Sequence, residues 1–94
     1  MVRYQKVQWK HDFDDEPVVL YSEITEEGIE TRKVDELRDG RFAFADRKRS
    51  NGSTFLSEKK MPTINEIAQQ PEFQPQDITK HEFELVWRKA TGKG

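Results

Sequence analysis

Ninety-four residues with 16 basic and 18 acidic side chains, ten aromatics and no cysteine predict one small domain, residues 1–94, with a heavily charged skin. The missing thiols exclude disulfides, thiolate chemistry and cysteine-ligated zinc. No window approaches the roughly 18 apolar residues of a membrane span, and MVRYQKVQWK has no signal-peptide run, which predicts a cytoplasmic protein. The net charge of -2 hides an uneven distribution. Residues 11–36 hold ten acids and two bases, whereas residues 37–60 hold seven bases and three acids. Such blocks steer charged partners, or pair with each other across adjacent strands.

Residues 3–9 alternate, with Val7 and Trp9 opposite Tyr4 and Lys6, and predict a strand. PVVLYSEI, residues 17–24, is a clearer one, with its proline at the tolerant first position. A turn at Glu26-Glu27-Gly28 leads to a third strand over residues 29–37. Asp39-Gly40 is a type I′ hairpin signal, followed by a strand over 41–46. There Phe42 and Phe44 share one face, and the small Ala43 and Ala45 leave room for a helix on the other. Asn51-Gly52 predicts a second tight turn and a short last strand at 54–57.

The C-terminal third reads as helical. Thr63-Ile64-Asn65-Glu66 is a capping box opening a helix over about 64–70 that Pro71 stops. Thr79-Lys80-His81-Glu82 is a second box, with Ile78 and Phe83 spaced as a hydrophobic staple. Phe83, Val86, Trp87 and Ala90 then form one apolar stripe of a helix over about 80–90, with Gly92 as its stop. Strands followed by helices predict an α+β fold: an antiparallel four- to five-stranded meander within residues 3–57, with two C-terminal helices packed on one face.

The densest polar stretch is HDFDDEP, residues 11–17. Asp12, Asp14 and Glu16 alternate like calcium-loop ligands, and Glu23 falls at the twelfth position, but Pro17 stands where that loop needs glycine. Zinc would need His11, Asp12 and the distant His81 to converge, which spacing alone does not provide. There is no phosphate-binding glycine loop and no G-x-S-x-G elbow. The plain reading is a solvated loop in which one aspartate caps a backbone N–H.

A collective reading gives the acids a task, because a dense carboxylate surface attracts cationic proteins quickly and selects among them. Asp12, Asp14, Asp15 and Glu16 would meet the cations, with Glu26, Glu27 and Glu30 as a flanking rim and Trp9 and Phe13 as apolar anchors. Trp87, on the helical stripe, is assigned to the core. The basic run Arg47-Lys48-Arg49 suits phosphate contact, yet the chain is slightly acidic and no recognition module surrounds it.

The segments KVQWKHDFDDEPVVLYSE (6–23), RDGRFAFAD (38–46), TINEIAQQPEF (63–73) and HEFELVW (81–87) resemble a family of small bacterial proteins of unknown function. Its W-x-H-D-x-x-D-E-P-V-x-L-Y-S-E pattern matches Trp9, His11, Asp12, Asp15, Glu16, Pro17, Val18, Leu20, Tyr21, Ser22 and Glu23. The resemblance implies no catalytic residues; by size and style such proteins look like the immunity proteins found beside bacterial toxins. The expectation is a non-enzymatic protein-interaction module docking a cationic partner through its acidic loop, with no cofactor and no metal. The alternatives are nucleic-acid contact through residues 47–49, and a small hydrolase using His11 with a nearby carboxylate.

Overall fold

The computed structural model describes residues 2–51 and 54–92. Strands β1 (Arg3–Trp9), β2 (Val19–Ile24), β3 (Glu30–Glu36), β4 (Phe42–Asp46) and β5 (Phe73–Ile78) form an antiparallel sheet ordered β4-β3-β2-β1-β5. The short helix α1 (Ile64–Ala68) precedes β5, and α2 (Lys80–Thr91) follows it. Four strands thus make the predicted meander, and a fifth adds to the free edge of β1.

The β2–β3 and β3–β4 turns share one build. Thr25 N–H donates to Ile29 O and Gly28 N–H to Thr25 O, while Leu37 N–H donates to Arg41 O and Gly40 N–H to Leu37 O. Gly28 and Gly40 sit at φ 89° and 92°, and no non-glycine residue described has positive φ. These are three-residue loops closing on a left-handed glycine; the type I′ turn expected at Asp39-Gly40 would need positive φ at Asp39 as well.

Of the second predicted turn, Gly52 lies outside the described residues. The chain reverses earlier, at Arg47-Lys48: Asp46 N–H donates to Arg49 O, and Asn51 N–H reaches back to Phe44 O. Residues 54–57 are not a strand. This segment leaves the sheet edge and crosses a face instead, where Ser57 N–H donates to the Glu30 carboxylate (2.9 Å) and Met61 N–H to Gly28 O (2.8 Å).

β5 is the strand sequence patterning misses, because Pro75 interrupts it. Lys10 N–H donates to Glu72 O, so the β1–β5 ladder bonds run through Gln8 and Lys6, and Pro75, opposite Val7, falls between them. Its missing N–H faces the open edge, where proline costs the sheet nothing.

Cross-strand pairing sorts the sheet into two unlike faces. Tyr4, Tyr21, Glu23, Arg32, Val34, Phe42 and Phe44 point to one; Gln5, Val7, Leu20, Ser22, Lys33, Asp35, Ala43 and Ala45 point to the other. α2 lies on the first. Its N-terminus carries the predicted capping box, with Thr79 Oγ1 accepting from Glu82 N–H, and it ends at Gly92 with φ 74°. Phe83, fully buried, lies 5.3 Å from Tyr4 with the rings tilted at 42°, and the half-buried Trp87 meets Phe44 edge-on at 5.5 Å. Burying a side chain like Phe83 is worth roughly 1.5–3 kcal/mol. Arg32 lies over both rings, 4.9 Å from Phe83 and 5.0 Å from Trp87, and forks to Glu23 and Glu84 at 2.7 Å each.

The two helices do not share a face. α1 opens with its own capping box at Thr63, and its buried Ile67 lines a groove with Gln5, Val7, Leu20 and Ser22, on the side away from α2. The helix expected over the alanines is absent there too. The aromatic stripe of α2 needs large partners and finds them at Phe44 and Tyr4, whereas Ser50 bridges to Ala45 along the sheet edge and Thr54 and Phe55 line a groove with Ala43. No helix among the described residues is long and apolar enough to cross a membrane.

Candidate functional site

β1 and β2 stay paired as far as Trp9 N–H to Val18 O, and the acidic stretch bulges out beyond that bond. His11 closes the bulge. Its Nδ1 accepts from Phe13 N–H at 3.0 Å, which puts the ring hydrogen on Nε2, and that nitrogen donates to Pro17 O at 2.7 Å. Arg38, from the β3–β4 turn, donates to His11 O at 2.6 Å. The Trp9 ring lies 4.2 Å from the imidazole and 5.8 Å from Phe73. The loop is therefore clamped at both ends and backed by rings.

What the clamped loop presents is charge. Asp12, Asp14, Asp15 and Glu16 are all exposed, and none makes an ion pair with a described residue. Phe13 is 59% exposed and stands 6.4 Å from the half-buried Trp9. These six predicted residues form one surface.

The other predicted residues lie elsewhere. Glu26 and Glu27 are exposed on the β2–β3 turn, at the opposite end of a sheet whose strands span about 20 Å. Glu30 is buried, its carboxylate accepting from Ser22 Oγ (2.7 Å) and Ser57 N–H (2.9 Å). It holds the 54–62 segment on the sheet instead of rimming a docking surface. Arg47, Lys48 and Arg49 also sit at the far end. There Asp46 accepts from Lys48 and Arg49 N–H, and the Arg49 guanidinium pairs with Asp46 while lying 5.1 Å over Phe44. Burial pushes the Asp46 carboxyl up, but the two backbone bonds and Arg49 hold it below the ordinary carboxylate range. The acidic loop and this basic turn stand too far apart to pair.

Beside the acidic loop a groove of about 690 Å³ opens on the face away from α2. Asp14, Asp15 and Glu16 edge one side, Arg38 and Arg41 another, and Trp9 and Phe55 wall it. Its floor is Leu20, Lys33, Asp35 and Ala43, with Thr54 closing over it. Sequence reading misses the floor. The one signal was alternation in β3, where Lys33 and Asp35 share the face opposite Val34, putting a charged pair on a covered side. Among the described residues, no three His, Asp or Glu side chains are grouped to hold a metal ion.

No curated protein and no solved structure matches the chain. Residues 3–92 match the model of a family described as a domain of unknown function, DUF6881, and the chain belongs to that family.

Proposed function

We propose that the protein is a non-enzymatic interaction module that docks a partner with a basic surface against the loop at residues 12–16, as an immunity-type inhibitor covers a cationic toxin or nuclease. The reading takes the protein as bacterial and cytoplasmic. One observation carries it: four exposed carboxylates without an ion-pair partner among the described residues sit on a loop that His11 and Arg38 hold in shape. A mobile acidic loop would lose conformational entropy on docking, whereas a clamped one has little left to lose. Like charges kept adjacent contribute association rate and partner selectivity more than raw affinity. Trp9 and Phe13 place apolar surface beside them, in the arrangement of a buried anchor with a charged rim. Both His11 ring nitrogens are engaged by backbone groups, which supports a bracing role for that residue.

The test is capture of a basic partner by wild type beside a variant carrying Asp12→Lys, Asp14→Lys, Asp15→Lys and Glu16→Lys, followed by titration of the purified pair. Wild type should bind with an association rate that falls steeply with salt, and the variant should not bind while melting within a few degrees of wild type. Equal capture by both proteins, or loss of folding in the variant, would remove the basis for docking.

A further inference from the structure

We propose, resting on the docking reading above, that the groove beside the acidic loop is the seat for one arginine side chain of the partner protein, received between Trp9 and Phe55 onto Asp35. Asp35 is 7% exposed and Thr54 8%, and both line the groove. Among the described residues, Asp35 Oδ1 and Thr54 Oγ1 have no hydrogen-bond partner. Lys33 Nζ stands 3.5 Å from Asp35 Oδ1, near enough to pair charges without hydrogen-bond geometry. Buried polar atoms are nearly always satisfied, so two unsatisfied ones beside one groove call for a ligand group that completes them. Both have almost no surface open to solvent, so the group reaches them by displacing Lys33 from Asp35.

The missing group must be a donor, because an ionised carboxylate only accepts. A guanidinium carries five donors in one plane and can serve a carboxylate oxygen and a neighbouring hydroxyl together. Its flat faces suit aromatic walls, here the half-buried Trp9 and Phe55, which is 75% exposed. The local charge agrees. Arg41 is held by Asp39 at 2.7 Å and Arg38 by His11 O at 2.6 Å, whereas Asp14, Asp15 and Glu16 on the rim are unpaired among the described residues. An anion entering the groove would meet those carboxylates first.

N-acetyl-L-arginine amide is the probe, titrated into the full chain and followed by amide and indole NMR. Saturable shifts of the Trp9 indole N–H and of the Asp35 and Phe55 amides are expected, with a Kd of about 1 mM. Asp35→Asn should weaken binding about tenfold or more. Phe55→Ala, at a side chain 75% exposed, should weaken it about threefold and keeps the test open if the aspartate variant fails to fold. Shifts confined to the amides of residues 12–16 would overturn the groove while leaving the docking reading standing. No saturable shift at all, or inorganic phosphate moving the groove signals more than the arginine probe, would overturn it as well.

Discussion

Replacing Arg32 with leucine removes a cation shared by Glu23 and Glu84 and the charge lying over Phe83 and Trp87. The three side chains keep only 19%, 15% and 31% of their surface exposed. The loss therefore falls between that of a solvated pair, about 0–1 kcal/mol, and that of a broken buried pair, about 3–5 kcal/mol. About 3 kcal/mol is expected, a fall in Tm of about 12–24 °C for a domain of this size. The pH dependence separates charge from packing. Burial raises the Glu23 carboxyl, but bonds from Arg32 and Thr31 outweigh it and hold the group below its ordinary value; Arg32 lowers Glu84 directly. Groups with depressed folded pKa values contribute stability above their unfolded value of 4.5 and lose it as pH falls through the folded value. The gap between wild type and Arg32→Leu, measured by denaturant titration, should thus narrow from about 3 kcal/mol at neutral pH to about 1 kcal/mol at acid pH, below the folded values of both carboxyls, where the contact with the rings remains. A gap equally wide at both pH values would refute the reasoning and leave Arg32 as a packing residue.

His11→Phe keeps a ring against Trp9 and removes both loop bonds, so it should cost about 1–2 kcal/mol and bring Phe13 amide exchange to the rate of an open loop. Unchanged exchange at Phe13 would show that the loop does not depend on the imidazole. Thr79→Ala removes the oxygen that accepts Glu82 N–H at the start of α2 and should lower stability by about 1 kcal/mol, or about 4–8 °C in Tm. Thr63→Ala, at the five-residue α1, should lower it less, because that helix buries only Ile67. Equal losses from the two caps would contradict the dominance of α2.

Legibility followed locality. Both capping boxes, the stripe of α2 and its glycine stop were readable because each is a contact within about four residues, and the structure contains them as written. The meander was readable for the same reason. β5 was hidden by Pro75, which is harmless only because this strand is an edge, and edge position is a property of the whole sheet. The alanine pair in β4 was legible as a close-packing face, but what lies near it depends on the bridge from Ser50 and on the distant segment of residues 54–62. Among the site residues, Trp9 to Glu16 came out together because they are neighbours in sequence. Glu26, Glu27 and Glu30 did not, since an acidic composition says nothing about which end of a strand, or which side of it, a carboxylate takes. Asp35 and Thr54 come together only through tertiary structure, nineteen positions apart in sequence.

The unlike faces of the sheet bear on where binding belongs. On the α2 side, rings and Arg32 close on one another, and the charged groups there satisfy each other. Tyr21 fits this pattern: burial, and then the Glu36 carboxylate that accepts its hydroxyl at 3.3 Å, push its pKa up to about 12, so it remains a donor across the ordinary pH range. The opposite side buries Gln5, Ser22, Glu30, Asp35 and Thr54 beneath an irregular segment and one turn-length helix. Ser22 and Glu30 complete each other, and Gln5 accepts from Arg3 at 2.9 Å. Asp35 Oδ1 and Thr54 Oγ1, at the loop end, lack hydrogen-bond partners among the described residues. A side built purely for stability would exchange such atoms for apolar ones, since an unsatisfied buried group costs about 1–3 kcal/mol and an apolar replacement of the same shape is nearly neutral. The unsatisfied pair belongs to residues lining the groove that the clamped acidic loop edges, so on the proposed reading a docking partner's side chain would complete it there.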